Sequence, residues 1–123
     1  MWDGFNKRKF PRVNVACEIV VHPAKSAPLA TLTENLGAGG VCIMLDRPLK
    51  RFSACQLRLE LKEDLSKIDC RGKVVWAIAT KKSARDTKRS YDIGIEFVEL
   101  SEESAALIRQ FLQEQSPQVK GEK

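Results

Sequence analysis

Apolar residues recur at every second position through most of the chain. Val13, Val15, Cys17, Ile19 and Val21 set the pattern, which is the period of a strand with one buried face. The stretch from His22 to Pro28 holds two prolines in seven residues and predicts a loop. Leu29 to Leu36 predicts a second strand, and Gly37-Ala38-Gly39-Gly40 a tight connection. Val41 to Leu45 is a short third strand, closed by Asp46-Arg47-Pro48. Cys55, Leu57, Leu59 and Leu61 alternate with Gln56, Arg58 and Glu60, the clearest half-buried strand. After a polar turn from Lys62 to Ser66, the same period runs through Ile68, Cys70, Gly72, Val74, Trp76 and Ile78. A charged loop from Thr80 to Arg89 leads to the last strand, with Tyr91, Ile93, Ile95 and Phe97 on one face.

Only the C-terminal end changes period. Ser101 is a helix cap, with Glu102 and Glu103 near the positive end of the helix dipole. Ala105, Ile108, Phe111 and Leu112 follow at three- and four-residue steps, a helical apolar face. Six short strands and one terminal helix predict an all-β fold with a C-terminal helix, closed as a small six-stranded antiparallel β-barrel. Closure hides the edges that an open sheet of this size exposes. The expected organisation is a flexible N-terminal segment over 1–12, a barrel with its helix over 13–115, and a frayed tail over 116–123.

Composition narrows the class. The 123 residues are enough for one core. No apolar run approaches the roughly 20 residues of a membrane helix, so no membrane span is expected. Charges fill the N-terminus where a signal peptide needs its apolar stretch. The expectation is a soluble protein of the cytoplasm. Twenty-one Lys and Arg against 16 Asp and Glu give +5, which suits an anionic partner. Cys17, Cys42, Cys55 and Cys70 form no C-x-x-C pair. They read as reduced core residues, with no metal site.

Catalysis finds little support. The one histidine, His22, sits beside a proline in a turn-like stretch. Ser26, Ser53, Ser66 and Ser83 lack a nucleophile-elbow context. The glycines lack the strand-to-helix setting of a phosphate loop. No enzyme activity and no cofactor are expected.

Binding is better supported. Arg8-Lys9-Phe10-Pro11-Arg12 sets two arginines four apart, just before the first strand. Asn35-Leu36-Gly37-Ala38-Gly39-Gly40 ends the second strand. Taken alone, these are a solvated basic segment and a hairpin turn needing positive φ. In this order the pair resembles the signature of the PilZ-domain family, R-x-x-x-R followed by [D/N]-x-S-x-x-G. Arg8 and Arg12 match the first part, and Asn35 and Gly40 the second. Gly37 stands where the family usually has serine. Gly40-Val41-Cys42, Gly72-Lys73-Val74-Val75-Trp76 and Ile93-Gly94-Ile95-Glu96-Phe97 look like the family's later strands. The resemblance covers residues 7 to 112. It implies a six-stranded barrel that binds cyclic di-GMP and signals to an effector protein that the sequence does not identify.

The residues suit that ligand. Guanine pairs O6 with N7, which an arginine fork can meet, and guanidinium also stacks on purines and grips phosphate. The Asn35 amide can both donate and accept. Gly39 and Gly40 let the backbone approach a flat ligand. Lys7 and Lys9 are possible additional phosphate contacts. Gly37 lacks one hydroxyl, a loss of roughly 2- to 10-fold in affinity. Trp2 and Phe5 are read as a contact surface carried by the N-terminal segment, which orders on ligand binding. Lys81 to Arg89 is read as a solvated hairpin tip. Two other readings stand beside the receptor: an adaptor of the same fold that has lost the ligand, and a barrel for single-stranded nucleic acid. The last is disfavoured, because the expected row of exposed aromatics is missing.

Overall fold

The structure is a computed structural model that describes residues 12–61, 67–80 and 90–115, with only the backbone of Arg12. The N-terminal segment with Trp2, Phe5, Lys7, Arg8 and Lys9 lies outside the described residues. So do the basic loop 81–89 and the tail from 116.

Among the described residues, seven strands and one helix follow in order: β1 (Arg12–Val13), β2 (Glu18–Pro23), β3 (Leu29–Gly37), β4 (Gly40–Leu45), β5 (Ala54–Glu60), β6 (Lys67–Thr80), β7 (Ser90–Val98) and α1 (Glu102–Gln115). The sheet order is β1-β3-β2-β5-β6-β7-β4, and β4 pairs back onto β3. Six strands therefore close an antiparallel barrel, and the two-residue β1 is an annex on β3. The predicted six-stranded barrel with its C-terminal helix is the observed architecture.

Alternation explains the core. Ile19, Val21, Leu57, Leu59, Ile68, Val74, Ile93 and Ile95 point inward and are buried. Ile108, Phe111 and Leu112 of α1 join the same cluster. Ser101 caps α1, its hydroxyl accepting from the Ser104 N–H at 3.0 Å. All four cysteines are free and buried; Cys42, Cys55 and Cys70 lie in strands, and Cys17 immediately precedes β2. Burial pushes the Cys55 and Cys70 thiols up to about 11, which leaves them protonated and inert. Among the described residues no group of three metal-binding side chains occurs, and no helix is long and apolar enough to cross a membrane.

Three expectations change. The run from Val13 to Val21 is not one strand. The chain leaves the ladder between Val13 and Glu18, where Thr33 takes over the pairing. Its hydroxyl donates to the Val15 carbonyl at 2.5 Å and accepts from the Cys17 N–H at 2.9 Å. The predicted loop at His22 begins later, because β2 extends through Pro23. Pairing with β3 stops at Val21, while pairing with β5 continues to Pro23. A proline without an N–H is tolerated where only one neighbour remains. Finally, β6 does not keep its period. A register shift between Val74 and Trp76 reverses the later side chains. Trp76 and Ile78 do not share the Val74 face, and Ile78 is 57% exposed.

Candidate functional site

The second arginine and the glycine-rich motif meet through the backbone. Arg12 is the antiparallel partner of Gly37, and Val13 of Leu36. Residues 25 apart in sequence thus face each other at the β1–β3 junction. Leu36 is fully buried, so its neighbours Asn35 and Gly37 belong to the outer side of the barrel. Asn35 is half-buried there and pairs with Cys42 of β4. A bulge at Glu34 precedes it, and the Cys42 thiol donates to the Glu34 carboxylate at 3.5 Å.

Ala38 and Gly39 make the turn into β4. No described glycine has positive φ, so the hairpin turn forms without the positive φ expected of it. The two later glycines have different tasks. At Gly40 a Cβ would collide with the Ile95 carbonyl oxygen and come within 3.2 Å of Glu96 Cα. Gly40 is therefore glycine because β7 packs against its backbone, a reason internal to the barrel. Around Gly39 a Cβ would meet nothing within 4 Å. Gly39 is exposed, and its carbonyl accepts from the Phe97 N–H at 2.9 Å. The β3–β4 turn is thereby tied to β7.

Two rows of outward positions run across the barrel from this motif. One is Asn35, Cys42, Gly94 and Trp76, each the register partner of the next. The other is Gly40, Glu96 and Lys73. The Trp76 indole sits directly over Gly94, where a Cβ would collide with its Nε1 and Cε2. A mid-strand glycine covered by a cross-strand aromatic is a recurring device for pinning register. It puts a flat aromatic on the same outer surface as Asn35. The sequence reading placed Trp76 with Val74 and so missed it. Gly94 in the middle of an apolar strand was the available signal.

Of the expected site residues, Asn35, Gly37, Gly39, Gly40 and the Arg12 backbone come together at one end of β3. Arg8, Lys7 and Lys9 fall outside the described residues.

A small antiparallel barrel with its sequence motifs gathered on the outer face of one hairpin is the class that fold and site define. The PilZ domain matches residues 6–114, and the chain belongs to that family. The PilZ domain of YcgR from Escherichia coli, solved with c-di-GMP, superposes with a TM-score of 0.75 at 11% identity, covering 94% of this chain and 96% of that one. K. pneumonia MrkH in its apo state gives 0.76 at 16%, covering 94% and 53%. The Bacillus subtilis inhibitor of motility MotI/DgrA gives 0.68 at 19%, covering 88% and 51%. At these identities the likeness is one of fold. The chain spans about half of the MrkH and MotI/DgrA chains. No curated protein matches the sequence.

Proposed function

We propose that this chain is a receptor for cyclic di-GMP, without catalytic activity, which passes the signal to a partner protein. The observation that carries this reading is the Arg12–Gly37 pairing. It brings Arg12, the last residue of the R-x-x-x-R motif, alongside the N-x-G-x-x-G strand, which supports a ligand held by both. The solved YcgR domain and MrkH complexes with c-di-GMP support the choice of ligand.

In this reading Arg8 and Arg12 hold the guanine edges and phosphates by charge-assisted, forked hydrogen bonds. Asn35 supplies an acceptor and a donor to a base edge. Gly39 leaves the turn open to a flat ligand. Lys7 and Lys9 add phosphate attraction. Trp76 offers a stacking face for a purine, worth about 1–3 kcal/mol per base in single-stranded nucleic-acid binders. Gly37 removes the hydroxyl that the family's usual serine provides. For that reason the ligand-free adaptor is the second reading.

Calorimetric titration of the full chain with cyclic di-GMP separates the two. Saturable binding is expected. No heat at high micromolar ligand would favour the adaptor.

A further inference from the structure

We propose that Phe52, Arg51 and Lys73 form a docking surface for an acidic segment of a partner protein. The proposal does not depend on nucleotide binding.

Phe52 lies in the connection between β4 and β5 and is 62% exposed. Its φ is 70°, a left-handed conformation that a bulky L residue rarely adopts. The turn is anchored all the same. The Phe52 N–H donates to the Val74 carbonyl at 2.6 Å, and the Ser53 carbonyl accepts from the Val74 N–H at 3.0 Å. These bonds continue the β5–β6 ladder past the end of β5 and fix the ring at the rim of the barrel. Asn or Gly would make such a turn with less strain. An exposed aromatic here is explained by what it contacts outside.

Two cations flank the ring. The Arg51 guanidinium carbon is 4.8 Å from its centroid and Lys73 Nζ 5.6 Å. Arg51 Nε donates to the Val75 carbonyl at 3.1 Å. This sets the guanidinium in place and leaves its terminal nitrogens for a carboxylate. Among the described residues no carboxylate forms an ion pair with Arg51 or Lys73. The patch thus offers one apolar ring and two oriented cations, the complement of an acidic peptide carrying an apolar side chain.

Glu96 decides between polyanions and protein. It is the register partner of Lys73 on the same outer face. A phosphate-dense surface, with about one charge per 1.7 Å in duplex DNA, must approach this carboxylate as well as the cations. A peptide with a few spaced carboxylates need not. The Gly40–Glu96–Lys73 row also sets the patch two strands, about 10 Å, from the glycine-rich motif.

The test is a nuclear magnetic resonance titration of the full-length, isotopically labelled chain. The probes are an octapeptide with a central Leu-Phe pair and one glutamate on each side, spaced from it by a serine and followed by a glycine, and its glutamine counterpart. The acidic peptide should shift the amides of residues 51–53 and 73–74, and the glutamine peptide should not. Phe52→Asn removes the ring but keeps a residue that accepts positive φ. It should weaken binding by at least about fivefold, the scale of one apolar anchor. Lys73→Glu should abolish it, with strand amides elsewhere unmoved in both variants. No shift at these amides at millimolar peptide would overturn the proposal. So would equal shifts in Phe52→Asn, or larger shifts there with duplex DNA or anionic vesicles than with the peptide.

Discussion

Trp76 and Gly94 are register partners across β6 and β7, and the indole occupies the space over the glycine where any side chain would stand. The pair locks the bulged half of β6 to its neighbour and fixes an aromatic on the surface that carries Asn35. Gly94→Ala must therefore displace the ring. Overpacking of this kind costs typically about 1–3 kcal/mol. The variant should show a lower urea midpoint. Its tryptophan emission should also change when both chains carry Trp2→Phe, which leaves Trp76 as the only reporter. An unchanged midpoint and spectrum would show that the indole does not rest on Gly94.

Arg8→Ala and Arg12→Ala should each cost at least tenfold in affinity for cyclic di-GMP, since a hydrogen bond to a charged group contributes about 1.5–3 kcal/mol. Arg12 lies in the two-residue β1, paired with β3 only. Its loss should leave the thermal midpoint within a few degrees of wild type. Calorimetry with both variants checks the assignment, and wild-type affinity in the pair would remove the arginines from the site.

The barrel was legible because its strands bury one face. Cys55 to Leu61 and Tyr91 to Phe97 carry a strict two-residue period, and the fold follows from its recurrence along the chain, with β4 apolar throughout. The departures came from single residues acting across strands. Thr33 replaces ladder bonds for the Val15–Cys17 stretch, which no local pattern announces. The bulge after Val74 turned Trp76 outward, since one inserted residue flips every later side chain. Pro23 reads as a loop residue, yet it is tolerated because only β5 pairs there. The motif residues were legible as a spaced set. What the sequence did not reveal is that Gly40 answers to the β7 backbone and Gly39 to open space. That distinction depends on which strand lies next to the turn.

Gly37→Ser should tighten cyclic di-GMP binding about 2- to 10-fold, the value of one neutral hydrogen bond. The backbone permits it: Gly37 is a β3 residue paired with Arg12, and no described glycine has positive φ. Serine also narrows the freedom of the unfolded chain, which favours the folded state. Titration of the variant beside wild type decides the matter. Weaker binding would mean that the added side chain obstructs the approach of Arg12 or of the ligand.

The thiols give the fold a dependence on alkaline pH. Cys55 and Cys70 face the core from neighbouring strands, and burial raises both from 9.0 to about 11. Below pH 9 the folded and unfolded states both hold these protons, and the shift makes no difference to stability. Between 9 and 11 the unfolded chain releases protons that the folded chain keeps. The unfolded state gains, and stability falls as pH rises through that window. The measurement must isolate the thiol contribution. Urea unfolding of wild type and Cys70→Ala at pH 8, 9 and 10 does so. Alanine leaves a small cavity that lowers stability equally at every pH. The variant should nonetheless lose less stability than wild type between pH 8 and 10. Parallel losses would show that the Cys70 thiol is reached by solvent in the folded barrel.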